Sequence, residues 1–204
     1  MHLQLVELEN DKKRLKAIDP IAGKVKLKRD DLLPKWLPHV DEYLAQVAKG
    51  EPSYDHPIFA YCVIWLFDSG DYDRAIQYAF KAIELQQPSP LKRGWPSFVA
   101  NTVYDWAEAE AENGHSIEPY FSTVFNQVTS KWELHEALTA KYYKLAGLQF
   151  IRDKTGKVKA TNVGDVEALT QADELLEKAQ QLYRNIGVKT IRDKIAQRLR
   201  GLEG

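Results

Sequence analysis

Asp68, Asp71 and Asp73 flank Gly70, a density of carboxylates that must be weighed as a metal site. A nuclease needs several carboxylates converging on Mg²⁺, and an EF-hand needs alternating oxygens in a loop of fixed length closed by a glutamate. The string lacks the EF-hand register. Its simplest reading is that Gly70 ends one helix and Asp71 or Asp73 begins the next, so no catalytic residue is assigned. Asp68, Asp71 and Asp73 are the positions to test if the chain were a nuclease. The histidines, His2, His39, His56, His115 and His135, have no partner histidine one helical turn away and no H-E-x-x-H context. They read as solvent-facing or helix-capping residues, and no metal site is expected. Lys154-Thr155-Gly156-Lys157 has neither the spacing nor the preceding strand of a phosphate-binding loop. A serine elbow is absent, and the lone Cys62 excludes both an internal disulfide and a cysteine-rich zinc site.

The cations are more informative. The chain of 204 residues carries 28 Lys+Arg against 29 Asp+Glu, a near balance that hides a segregation. Lys12, Lys13, Arg14, Lys16, Lys24, Lys26, Lys28 and Arg29 face only Asp19 between positions 12 and 29. A second concentration, including Lys189, Arg192, Arg198 and Arg200, closes the chain. Clustered cations are the electrostatic footprint of a phosphate-binding surface, because each neutralised phosphate releases condensed counterions. A solvated helix face or a mobile arm has the same composition.

The elements that must position these residues are helices. Val40, Tyr43, Leu44 and Val47 form one stripe at helical spacing, and Phe121, Val124, Phe125 and Val128 another. Ala172, Leu175, Leu176, Ala179, Leu182, Tyr183 and Ile186 form a third, and Val188, Ile191, Ile195 and Leu199 a fourth. Asp55 before Pro57, Ser116 before Ile117, and Asp165 before Val166 read as helix starts. Gly50, Gly70, Gly114 and Gly187 read as helix ends. Residues 88–96, with three prolines and a glycine, predict a loop, and residues 154–165 a polar connector. Val25-Lys26-Leu27-Lys28 alternates but is short and isolated, which suits an extended arm. The stretch from Gly70 through Ala75, Ala79 and Ala82 to Pro88 resembles half of a tetratricopeptide unit, without enough copies for a repeat array.

The fold class predicted is therefore all-α, built of antiparallel helical hairpins with tetratricopeptide-like packing. Residues 1–31 form a basic N-terminal helix or arm, and 32–204 a single core domain. Leu32-Leu33-Pro34-Lys35-Trp36-Leu37-Pro38 reads as a rigid helix entry with Trp36 buried. The short stripe Leu5, Leu8, Leu15, Ile18 is too small to fold alone and is expected to dock on the core or on a neighbouring subunit. Glu108, Glu110 and Glu112 read as an exposed acidic surface. The longest apolar run, Ile58 to Phe67, is ten residues, about half of a membrane span, and no signal peptide is recognisable at the N-terminus. No membrane partner and a soluble, intracellular protein are expected.

The order of these pieces resembles the small terminase subunit of Peduovirus-type temperate tailed phages, often named the terminase endonuclease subunit. The resemblance rests on Leu15-Lys16-Ala17-Ile18, the basic run, and Leu32-Leu33-Pro34-x-Trp36-Leu37-Pro38-x-Val40. It continues in Trp65-Leu66-x-Asp68-x-Gly70-Asp71 and Leu145-Ala146-Gly147-Leu148-Gln149-Phe150-Ile151-Arg152-Asp153. The resemblance implies a subunit that recognises the packaging site in double-stranded viral DNA, as a ring-forming homo-oligomer in the host bacterial cytoplasm. It would deliver that DNA to a large subunit bearing the ATPase motor and nuclease, where ATP and Mg²⁺ are expected; none is expected on this chain. DNA contacts are then expected from Lys12, Lys13, Arg14, Lys16, Lys24, Lys26, Lys28 and Arg29. Secondary DNA or partner contacts are expected from Lys189, Arg192, Arg198 and Arg200. No catalytic constellation is recognisable, so cleavage is expected in the complex. The alternatives are a protein-only helical adaptor and a metal-dependent endonuclease.

Overall fold

The computed structural model describes residues 2–203. Among them the secondary structure is helical: ten α-helices, one π-helical turn and one 3₁₀ turn, with a single isolated bridge between Arg152 and Val158. The chain forms two compact units, Met1–Trp95 and Pro96–Gly204, so residue 31 lies inside the first unit and the boundary falls between Trp95 and Pro96. No described helix is long and apolar enough to cross a membrane.

The first unit contains α1 (His2–Lys16), α2 (Ile21–Leu27), a π-helical turn (Lys28–Leu32), α3 (Leu33–Ala48), α4 (Pro57–Ser69) and α5 (Tyr72–Glu84). Its centre is α4, where Phe59, Cys62, Val63 and Leu66 are fully buried and Trp65 and Phe67 nearly so. A helix apolar nearly all round must be surrounded, and α1, α2, the π-turn, α3 and α5 all pack on it. α5 follows after a two-residue turn in which Gly70 holds φ +82°, and its buried Ala75, Ala79 and Ala82 let the two helices approach closely. This is the helical hairpin expected from the tetratricopeptide-like pattern. The start of α4 is capped by His56 rather than Asp55: His56 Nδ1 accepts the Phe59 N–H at 3.0 Å.

The basic segment is not an extended arm. Its alternating Val25–Lys28 lies in α2 and the π-turn, and Leu27, Lys28, Leu32 and Leu33 all keep right-handed helical backbone, so the chain stays helical from Ile21 to Ala48. The widened turn sits just ahead of Pro34, which has no N–H to offer the carbonyl four residues back and whose ring would crowd it. Pro38 is carried inside α3, beyond the first turn expected for it. The N-terminal stripe docks on its own unit, with Leu8 at 2% and Leu15 at 9% exposure.

The second unit contains α6 (Trp95–Glu112), α7 (Tyr120–Ser130), α8 (Glu136–Gln149), a 3₁₀ turn (Ala160–Asn162), α9 (Val166–Leu182) and α10 (Lys189–Glu203). The 88–96 loop ends earlier than expected, at Gly94, because Pro96 is tolerated in a first helical turn. α7 starts at Tyr120, later than Ser116 indicated, whereas Asp165 caps α9 as expected, accepting the Glu167 and Ala168 N–H groups. One core cluster of Ile151, Leu169, Ala172, Leu176, Val188 and Ile195 joins the connector to α9 and α10. Gly147 lets α8 meet α9: a Cβ there would lie 2.9 Å from the Ala172 carbonyl oxygen.

The turn after Ile151 is docked on the end of α6. Gly156 has φ +83°, and an added Cβ would lie 2.0 Å from the Glu112 carbonyl oxygen. Gly156→Ala therefore forces both a disfavoured backbone and a backbone clash, and should destabilise the protein by about 2 kcal/mol or more. Gly164→Ala is the control, since its Cβ meets nothing within 4 Å. Urea unfolding monitored by circular dichroism would compare them; equal midpoints would refute the packing argument.

Candidate nucleic-acid interface

All eight cations of the basic run lie in the first unit: four on α1, two on α2 and two in the π-turn. Half of them are held by carboxylates. Lys12 donates to Glu9 at 2.5 Å and lies 4.5 Å above the Tyr61 ring. Arg14 bridges Asp11 at 2.8 Å and Asp31 at 2.6 Å. Lys28 reaches Asp68 at 2.6 Å, and Arg29 its neighbour Asp30 at 2.9 Å. For Lys13, Lys16, Lys24 and Lys26, no carboxylate among the described residues comes within ion-pair distance. Lys13, Lys16 and Lys26 are exposed and Lys24 is half-buried. Lys13 and Lys16, one turn apart, share a face at the end of α1, and the turn 17–20 leads straight into α2. α2 buries none of its residues, and Ile21 at its start is 79% exposed. The α1–α2 corner thus presents lysines without an ion-pair partner on helical backbone, side chains of a type that can contact phosphates.

What fixes that corner is Asp11, a residue that composition and motif do not single out. It lies between Leu8 and Leu15 on the buried face of α1 and is 2% exposed. Its carboxylate accepts from Lys35 Nζ at 2.7 Å, the Trp36 indole at 3.0 Å and Arg14 at 2.8 Å. Lys35 also binds Glu7 at 2.7 Å. Burial pushes the Asp11 carboxyl upward, but the bonds from Lys35, Arg14 and Trp36 together prevail and hold it below its ordinary range. Trp36, buried as expected, is thus half of the clasp between α1 and α3. The available signal was the placement of Asp11, three residues after Leu8 and four before Leu15 on one helical face.

The acidic cluster is taken up by the fold. Asp68 pairs with Lys28, while Asp71 caps α5 by accepting the Arg74 N–H and also binds Arg74 Nε at 2.7 Å. Asp73 is exposed in the first turn of α5. Among the described residues, no three His, Cys, Asp or Glu side chains gather as metal ligands would. His56 and His135 cap helices, and His115 faces Glu110 at 2.7 Å. In the expected acidic surface, Glu108 and Glu112 are exposed and Glu110 is half-buried; Glu108 accepts the buried Tyr104 hydroxyl at 2.5 Å.

The second unit's cations divide in the same way. Arg192 grips both Asp173 oxygens at 2.8 and 2.9 Å and reaches Glu177 at 3.2 Å, tying α10 to α9. Arg198 donates to the Val163 carbonyl at 2.8 Å. These two guanidiniums are occupied in holding α10. Lys189 and Arg200 are exposed and, among the described residues, carry no ion pair.

Comparison with known proteins gives two matches. Residues 5–137 fit the family model described as phage small terminase subunit. A curated relative named probable terminase, endonuclease subunit, from Haemophilus phage HP1 (strain HP1c1), is 42% identical over 201 residues, covering 97% of this chain and 69% of the relative. No solved structure matches.

Proposed function

Because the chain belongs to the phage small terminase subunit family, we propose that it grips double-stranded viral DNA at the packaging site through its α1–α2 corner and passes it to a large subunit. A terminase role in phage DNA packaging comes with the family. The observation that carries the finer reading is the set of four lysines, Lys13, Lys16, Lys24 and Lys26, left unpaired on one helical corner while their neighbours are neutralised. Phosphate contacts of this kind position a protein on duplex DNA and supply its salt-sensitive affinity. Lys189 and Arg200 on α10 offer a second contact, to DNA or to the large subunit.

The working form is a homo-oligomeric ring in the host cytoplasm, with ATP and Mg²⁺ chemistry on the large subunit. The HP1 relative's name includes an endonuclease role. In this chain Asp68 and Asp71 are engaged by Lys28 and Arg74, which favours placing the cleavage chemistry on the large subunit.

The test is fluorescence anisotropy with a duplex carrying the packaging site and a scrambled duplex, in Mg²⁺, with the recovered DNA examined for cuts. Site-preferring binding without cleavage is the expected result. Cleavage by this chain alone, lost on Asp68→Asn, would transfer the nuclease to it. Absence of binding at low salt would leave a protein-only adaptor.

A further inference from the structure

The π-turn places two consecutive aspartates, Asp30 and Asp31, directly after the basic run, and each holds an arginine. Asp31 takes Arg14 from α1 at 2.6 Å, across 17 residues of sequence, and Asp30 takes Arg29 at 2.9 Å. All four side chains are about half exposed, at 51% and 46% for the first pair and 62% and 47% for the second. These are surface pairs, worth little to the fold. Their geometry matters more: a carboxylate at this distance from a guanidinium occupies the position that a phosphate oxygen would take. Lys28–Asp68 differs, because Lys28 is only 15% exposed and its pair leans on α4.

We propose that Asp30 and Asp31 are affinity-setting residues of the DNA surface, intramolecular stand-ins for phosphate that DNA must displace from Arg29 and Arg14. The inference rests on the DNA-binding reading above. When a lysine without a partner meets a phosphate, a counterion leaves the DNA and binding acquires salt dependence. When an arginine exchanges aspartate for phosphate, the released carboxylate recruits a cation from solution and most of that gain is cancelled. Asp30 and Asp31 therefore lower the sequence-independent part of the affinity and leave base contacts untouched. A subunit that must find one site among many gains selectivity from such a brake.

The experiment compares the full-length wild type with Asp30→Asn/Asp31→Asn, by anisotropy on a scrambled duplex across a salt series. The charge-matched control is Glu42→Gln/Glu51→Gln, at exposed positions of the same unit. The double asparagine variant should bind about ten-fold more tightly than wild type at low salt, with the salt slope steeper by about 1 to 2. The control should move much less. Equal affinity and slope in wild type and variant, or an equal gain in the control, would overturn the proposal. If the double variant loses its helical signal, Asp30→Asn alone, whose partner is its own neighbour, carries the same test at about half the slope change. A wild type that fails to bind any duplex would defeat the DNA reading itself, and so is distinguishable from failure of the brake.

Discussion

Replacing Lys13, Lys16, Lys24 and Lys26 together with alanine should weaken duplex DNA binding roughly a thousand-fold near 0.1 M salt, with the salt slope falling by about 3.6, or about 0.9 for each phosphate no longer neutralised. The size of the effect follows from the partners. A lysine with no carboxylate in ion-pair contact delivers most of its charge to a phosphate, and these four have no such contact among the described residues. The fold should survive the change, since three of the four are exposed and alanine is the stronger helix former. Circular dichroism should therefore be unchanged while anisotropy titrations shift. The matching substitution of Lys12, Arg14, Lys28 and Arg29 should lose less DNA affinity, because those side chains already bind Glu9, Asp31, Asp68 and Asp30, and more stability, because Arg14 also binds the buried Asp11 and Lys28 is only 15% exposed. Equal losses from the two sets would mean that the carboxylate partners do not sort the cations.

Asp11→Ala should destabilise the first unit by about 3 kcal/mol, the lower end of the range for breaking a buried ion pair, because Lys35 and Arg14 are partly exposed and can rehydrate. The Trp36 indole, 1% exposed, would be left without its acceptor. Asp11→Asn keeps the shape and one acceptor and should lose less. The pH dependence has a definite sign. The folded carboxyl lies below its ordinary value, so its contribution is fully present above the unfolded value near pH 4 and is lost as pH falls through the folded one. Urea unfolding between pH 3 and 7 should thus show wild-type stability falling on acidification over a range where Asp11→Asn stays flatter. Parallel curves would remove Asp11 as the electrostatic clasp of α1.

Much of the architecture was legible because helical periodicity is a local signal. The α4–α5 hairpin, the cap at Asp165 and the positive φ at Gly50, Gly70, Gly114 and Gly187 all follow from residue types within a turn or two of the feature. The basic segment was harder to read. Val25 and Leu27 alternate with lysines rather than recur at helical spacing, so they do not predict α2, which buries no residue, continues into α3 and touches α4. Pro34 and Pro38 suggested a helix start, whereas the π-turn absorbs the first and α3 carries the second. In the candidate site, the run of cations was visible and its sorting was not. Whether Arg14 is open depends on Asp31, and whether Lys28 is open depends on Asp68, 40 residues away. Asp11 illustrates the same limit: the sequence shows a charge on an apolar stripe, and only the approach of α3 supplies Lys35 and Trp36 to bind it.

Lysine footprinting tests the DNA surface most directly. The full-length protein would be acetylated briefly with and without duplex DNA and each lysine quantified by mass spectrometry. The expected result is strong protection of Lys13, Lys16, Lys24 and Lys26, with exposed Lys49 and Lys131 unchanged. Protection at Lys189 with none at the α1–α2 corner would contradict it and move the DNA to α10.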